Sequence, residues 1–134
     1  MERKTTILMK IAAPVMGIII AGSTALTPVS ALAASSVKGE LNGFQCSGYV
    51  TIDTREASAV TSFSRGGDIR AYVTLFAKDG KTMKEHYGSN YSNGGGTRAV
   101  AEVDSGIELT QYAKGKHSVS YDTYSWSDDT YIHY

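Results

Sequence analysis

Polar and apolar residues alternate most regularly in residues 69–78. The apolar side of this stretch carries Ile69, Ala71, Val73, Leu75 and Ala77. The opposite side carries Arg70, Tyr72, Thr74, Phe76 and Lys78. A period of two predicts a β-strand with one buried face. Asp79-Gly80 comes next, and this dipeptide favours a type I′ turn with positive φ at both positions. We therefore predict a long hairpin that returns along residues 82–87.

The two arms of this hairpin differ in polarity. The first arm needs a second sheet to cover its aliphatic side, which predicts a central strand. The second arm carries Lys84 and His86. Such charge is typical of an edge strand, because it discourages pairing with another molecule.

Shorter alternating stretches predict the remaining strands, at residues 48–53, 57–63, 97–103, 117–123 and 130–134. Residues 107–113 fit either a strand or a short helical turn. Turn-forming residues predict turns at Arg65-Gly66-Gly67-Asp68 and Asp104-Ser105-Gly106. They also predict three further interruptions, which are the loop 88–96, a break at Lys114-Gly115-Lys116 and a turn at Ser127-Asp128-Asp129.

The pattern gives seven or eight short strands in about a hundred residues, with no convincing helical period. Alternating strands favour antiparallel sheets with one wet face, and two such sheets stack into a β-sandwich. We predict an all-β fold, a small antiparallel β-sandwich that is immunoglobulin-like in architecture only, since the Cys…Trp…Cys framework is absent. A small closed β-barrel is the alternative.

The N-terminus has the order of a secretory signal peptide. A basic start with Arg3, Lys4 and Lys10 precedes an uncharged, mostly apolar run at residues 11–22. Small residues follow, and Ala31-Leu32-Ala33 fits an A-x-A site with cleavage after Ala33. Cleavage after Ala31 is the second choice, and a retained membrane anchor is the alternative, although the run is about half of the ~20 residues that a spanning helix needs.

Cleavage would divide the chain into a signal peptide, residues 1–33, and one domain, residues 34–134, whose residues 34–38 we predict to be a flexible lead-in. The expected location is extracellular, with no stable membrane anchor. The long basic start resembles that of exported proteins from Gram-positive bacteria. The mature part keeps ten basic and twelve acidic residues, a formal charge of −2 with the charges interspersed. No basic stripe marks a nucleic-acid binder.

Cys46 is the only cysteine, so no disulfide can form within the chain. We favour a buried thiol over a link to another molecule, because free cysteine is among the most buried residue types.

Candidate chemistry is sparse. His86, His117 and His133 have no zinc-ligand spacing, and no Gly-x-Ser-x-Gly elbow is present. A Cys46–His117 nucleophile would define a hydrolase, but a core thiol and a strand histidine that never meet are the favoured interpretation. Asp122, Asp128 and Asp129 could ligate calcium, yet their spacing matches no calcium loop, which favours a solvated turn. The glycines of residues 88–96 carry no phosphate-binding spacing. We predict no catalytic residue, metal or cofactor.

Aromatic residues are the most informative feature, because they crowd the C-terminal end and flank the glycine loop. The candidate binding surface consists of Tyr87, Tyr91, Tyr124, Trp126, Tyr131 and Tyr134. If Tyr121 faces the core, alternation sends Tyr124 outwards. Exposed rings on a sheet stack on sugars or on protein partners, because a flat ring buries much area at a low entropic cost.

The favoured functional hypothesis is an exported, non-enzymatic binding module for an envelope glycan or a protein partner. In size, export signal and alternating Tyr-rich strands, the chain also resembles the lactococcin-type bacteriocins, which are small exported β-sandwich proteins. That resemblance implies a secreted toxin. No motif of that family matches residue by residue, so it assigns no functional positions.

Overall fold

The computed structural model describes residues 33–134, with side chains from residue 35. The predicted signal peptide lies outside this range apart from Ala33. The described residues form eight strands and no helix, which confirms the all-β class. The strands are β1 (Ala33–Leu41), β2 (Phe44–Ile52), β3 (Glu56–Phe63), β4 (Asp68–Asp79), β5 (Thr82–Ser92), β6 (Arg98–Asp104), β7 (Leu109–Tyr121) and β8 (Tyr124–His133). Within residues 33–134, therefore, nothing helical could cross a bilayer.

The strands divide into two four-stranded antiparallel sheets. The first sheet has the order β1-β2-β3-β6 and the second has the order β5-β4-β7-β8. The predicted β-sandwich is confirmed, because the strands of residues 33–134 form two separate sheets and do not close into the alternative small barrel. Small and aliphatic side chains from the two inner faces fill the core, among them Val50, Ile52, Ala59, Phe63, Ile69, Val73, Leu75 and Val119.

The hairpin of β4 and β5 has the predicted polarity. β4 lies between β5 and β7, and its aliphatic side is fully buried while its other side faces solvent. β5 lies at the edge of the second sheet. Both positions confirm the prediction from the alternation.

Two hairpin turns differ from the sequence interpretation. Asp79 pairs with Thr82, so the loop residues are Gly80 and Lys81, and only Gly80 has a positive φ, 64°. This is the pattern of a type II′ turn instead of the predicted type I′ turn. The β1–β2 hairpin does have a type I′ turn, at Asn42 (φ 51°) and Gly43 (φ 83°).

That second hairpin corrects the lead-in. Residues 34–38 belong to β1 and pair with β2, where Ser36 opposes Tyr49 and Lys38 opposes Ser47. Asn-Gly between two strand-forming runs is the strongest short hairpin signal, and it is the feature that would have predicted β1.

The predicted turns at residues 65–68 and 104–106 do separate strands, but the three further interruptions differ, because each lies wholly or partly inside a strand. Gly88 to Ser92 continue β5, Lys114-Gly115-Lys116 lies within β7, and Ser127-Asp128-Asp129 lies within β8. Glycine in a strand often marks a close approach. A Cβ at Gly88 would overlap the backbone oxygen of Glu102, and one at Gly115 would stand 2.5 Å from Thr130 Oγ1.

Candidate functional site

The outer face of the second sheet gathers many of the aromatic side chains of the chain. Strand alternation places six of them there together with the imidazole of His133, and we call this surface the aromatic face. The six are Tyr72, Phe76, Tyr87, Tyr91, Tyr112 and Tyr131. They come from all four strands, so the face exists only once the sheet has formed.

Four rings at one end of the aromatic face contact one another. The register aligns Phe76, Tyr112 and His133 across β4, β7 and β8. The Phe76 and Tyr112 centroids are 4.3 Å apart with an interplanar angle of 17°, a stacked pair. The ring centroid of Tyr131 lies 5.4 Å from that of Tyr112 and 5.1 Å from that of His133. Such distances are typical of attractive ring pairs, so this cluster is a preformed platform.

A shallow groove of about 310 Å³ crosses the centre of the aromatic face. Tyr72 and Tyr87 line it together with Thr74, Ser89 and Lys116. Tyr87 is 69% exposed and Tyr72 is 41% exposed. The groove therefore offers rings, hydroxyl groups and a cation to the same ligand.

Cations lie among these rings. The Arg70 guanidinium is 4.6 Å from the Tyr91 ring centroid, and Lys114 Nζ is 6.0 Å from that of Phe76. Lys116 Nζ lies 3.7 Å from Asp129 Oδ1, and both side chains are exposed.

The aromatic face also carries a carboxylate, that of Glu85, which is hydrogen-bonded to a neighbouring tyrosine. Glu85 accepts a hydrogen bond from the Tyr87 hydroxyl, and this bond raises the pKa of Tyr87. The bond engages only the hydroxyl group, so the exposed ring of Tyr87 stays available for stacking.

The six residues predicted as a binding surface do not form one patch. Tyr87, Tyr91 and Tyr131 lie on the aromatic face. Trp126 lies on the inner side of β8, opposite Val119, where its indole covers Gly39 so closely that a Cβ there would overlap it. The three tyrosine rings and the Trp126 indole therefore point to opposite sides of the second sheet.

Tyr124 and Tyr134 also lie away from the aromatic face. Asp122 and Thr123 make a two-residue turn, so Tyr124 opposes Tyr121 and shares its inner side. The expectation that Tyr124 faces out is wrong, because residues flanking such a turn are cross-strand partners on one side. The Tyr134 hydroxyl lies 3.1 Å from Thr54 Oγ1, next to the first sheet.

Four members of the aromatic face were not predicted as binding residues, namely Tyr72, Phe76, Tyr112 and His133. The signal for two of them was present in the sequence. Tyr72 and Phe76 occupy outward positions of the most regular strand in the chain, where alternation alone predicts exposure.

The other predicted chemistry is dispersed. His117 is buried, and its two ring nitrogens lie 2.9 Å from Thr61 Oγ1 and 2.8 Å from Thr130 Oγ1. Its hydrogen-bond partners are therefore threonines and not Cys46. Thr61 donates its own hydrogen to the Arg70 carbonyl oxygen, so Nδ1 of His117 donates to Thr61 and Nε2 accepts from Thr130.

Metal ligation receives no support from the described side chains. Asp128 and Asp129 are neighbours in β8 and point to opposite sides of the strand. In residues 33–134 no three His, Cys, Asp or Glu side chains are placed to hold a metal ion. A depression of about 530 Å³ at one end of the outer face of the first sheet is lined by Asp53, Glu56, Glu102 and Asp104, and no ring lines it.

Cys46 is 1% exposed, and this burial raises the pKa of its thiol. We expect Cys46 not to react with a disulfide-exchange reagent in the native protein and to react stoichiometrically after unfolding, because the thiolate is the reactive form. The absorbance of the thiolate released by the reagent measures the extent of reaction in the native and in the unfolded protein. Labelling at equal rates in the two states would contradict the buried thiol.

No model of a protein family, no curated protein and no solved structure matches the chain.

Proposed function

We propose that the protein is an exported, non-enzymatic binding module that takes a cell-envelope glycan on its aromatic face. The observation that carries this is the unequal distribution of rings between the two outer faces. The second sheet presents six aromatic residues, whereas the outer face of the first sheet, over residues 35–134, presents only Tyr49. Folding gains little from exposed rings, so their concentration on one face favours a ligand.

The composition of the face favours a glycan over a protein partner. Protein interfaces are usually depleted of charge at their centre. Here Arg70, Lys114 and Lys116 lie between the rings, on the two central strands. Rings stack on the apolar faces of sugars while the hydroxyl groups and cations of the groove hydrogen-bond to sugar oxygens, so both kinds of residue have a use.

The pattern at residues 1–33 supports export. The threonine partners of His117 and the buried, unionised thiol of Cys46 support a non-enzymatic role, since a cysteine nucleophile requires a histidine within reach and a lowered pKa. The lactococcin-type alternative stays a prediction, and growth inhibition of related strains by the purified protein would favour it.

Replacing Tyr87 and Tyr131 together by alanine is expected to weaken glycan binding about 5- to 160-fold, if each ring contributes ~0.5–1.5 kcal/mol. Both side chains are exposed, but Tyr131 also contacts the rings of Tyr112 and His133, so the melting temperature is expected to fall by a few degrees while the protein stays folded. Pull-down with cell-wall polysaccharide and a glycan array, followed by titration of the bound glycan, measure the effect.

Tyr124→Ala is the matched control, because Tyr124 and Tyr131 are each 46% exposed but point to opposite sides of the second sheet. It should bind like the wild type. Equal losses in both variants, or wild-type protein that captures no glycan, would contradict the proposal. If the wild type captures a protein and the Tyr87 and Tyr131 double variant does not, the aromatic face would bind a protein partner instead of a glycan.

A further inference from the structure

We infer that the glycan bound by the aromatic face is a linear polyanion, a polymer of phosphodiester-linked polyol units that lies along strands β4 and β7. This inference rests on the proposed function and specifies the ligand class of the same face.

The cations of the face are arranged in rows. Lys114 and Lys116 are consecutive outward positions of β7. The next outward position is Ser118, and Arg70 lies directly beside it on β4. Three successive rows of the sheet therefore each present one cation. Rows formed by alternate residues recur every ~7 Å along a strand.

The centre of the face is positive. Across all four strands, the outward positions of these three rows carry the three cations against one carboxylate, that of Asp129. Two other outward carboxylates, Asp68 and Glu85, lie in rows beyond them. The mature chain as a whole has a formal charge of −2, so this positive centre lies on a slightly negative protein. A surface of this sign attracts an anionic ligand.

Asp129 leaves most of this positive charge available. The Lys116–Asp129 pair spans 3.7 Å between side chains that are 70% and 69% exposed, and such exposed pairs contribute little free energy. An anionic ligand can therefore replace Asp129 as the partner of Lys116 at a small cost.

The spacing of the rows matches a particular polymer chemistry. Two residues of strand contain six backbone bonds and span ~7 Å. A phosphodiester polymer with a three-carbon polyol also has six bonds from one phosphorus atom to the next. In an extended conformation its phosphates therefore recur at nearly the spacing of the three cations.

The rings border this line of cations on both sides. Tyr87 and Tyr91 lie on β5, and Tyr131 lies on β8, so the cations run between two aromatic borders. Rings in these positions contact the carbon atoms of the polyol or of sugars attached to it. Phosphate contacts then supply affinity that depends on salt, while the rings supply affinity that does not.

The test is a calorimetric titration of the purified protein with glycerol phosphate oligomers over a range of salt concentrations. Affinity is expected to fall steeply between roughly 50 and 500 mM salt. Replacing Lys114 and Lys116 together by glutamine is expected to weaken binding at least ~10-fold at low salt. It should also lower the salt slope by about two, one unit for each phosphate that is no longer neutralised.

Two further variants separate a specific role from a general reduction of charge. Lys114→Arg with Lys116→Arg should keep the salt slope, since the charge is retained. Lys38→Gln removes an exposed cation from the outer face of the first sheet and should leave the affinity unchanged.

Three results would overturn the inference. Binding of neutral dextran as tight as that of the phosphate oligomer, without salt dependence, would refute a polyanion but leave the proposed glycan function intact. Tighter binding of polygalacturonate would replace phosphate by carboxylate as the recognised group. Failure to bind any of these polymers or any glycan on an array would refute the proposed function itself.

Discussion

Gly48→Ala is expected to destabilise the protein by about 3 kcal/mol, which in a domain of about a hundred residues lowers the melting temperature by roughly 12–20 °C. Gly48 faces the core from β2, and the imidazole of His117 packs directly on it. A Cβ at this position would overlap Cγ of the ring and stand 2.6 Å from Nδ1. Urea denaturation and thermal melting measure the destabilisation.

The ring cannot move aside cheaply. Both of its nitrogens are hydrogen-bonded, one to Thr61 on the first sheet and the other to Thr130 on β8. Movement away from β2 would break these bonds and leave the buried ring nitrogens and the Thr130 hydroxyl without partners, which is costly. Gly48 does not have a positive φ, so the expected destabilisation comes from steric overlap and not from backbone strain.

Gly95→Ala is the matched control, because a Cβ there meets no atom within 4 Å and Gly95 has no positive φ. It should change stability by less than about 0.5 kcal/mol. A double variant of Gly48→Ala with His117→Ala should cost less than the sum of the two single changes, since removing the ring creates room for the methyl group. Additive costs, or a neutral Gly48→Ala, would contradict this packing of His117 on Gly48.

The central strand β4 shows why part of the fold was predictable. Its burial follows from alternation, a local property of ten residues. The two-sheet architecture follows from the number of such stretches along the chain. Neither conclusion requires knowledge of which strands become neighbours.

The segments wrongly predicted as loops or turns depend instead on contacts between strands. The composition around Gly88 and Gly115 predicted a loop and a turn, yet both glycines lie in strands. Each leaves room for another segment, since Glu102 approaches Gly88 and Thr130 approaches Gly115. The aspartates at 128 and 129 looked like a turn, yet they lie on an edge strand where charge is tolerated and useful. Such constraints arise between residues far apart in sequence, so local composition misassigns them.

The candidate site shows the same limit. Crowding of aromatic residues near the C-terminus suggested one patch, but strand alternation splits that crowd between the two sides of β8. Tyr131 faces outwards, while Trp126 closes the core over Gly39. Conversely, Phe76 and Tyr112 are distant in the sequence and stack only because β4 and β7 are neighbours. Clustering on a sheet face depends on strand order, which the sequence pattern leaves open.

Protonation of His117 by itself is expected to lower the free energy of unfolding by about 3 kcal/mol as the pH is lowered from about 6.5 to about 4. Burial lowers the pKa of His117 from 6.5 to about 4, and the nearby Asp129 carboxylate only partly opposes this. In this interval the unfolded chain binds a proton at His117 that the folded protein does not. Protonation therefore favours unfolding, and the stabilising contribution is complete above pH 6.5. Urea denaturation at stepped pH measures the profile.

His117→Asn separates this effect from the other titrating groups. Asparagine keeps a donor towards Thr61 but does not titrate, so the variant should be less stable at neutral pH yet nearly flat between pH 6.5 and 4.5. Glu108 titrates lower. Hydrogen bonding to His86 and Lys84 holds the pKa of its carboxyl below 4.5, so its contribution is lost only as the pH falls below that value. An NMR titration in which the His117 ring protonates near pH 6.5, or an unchanged stability profile in His117→Asn, would show that the buried imidazole is not the acid-sensitive group.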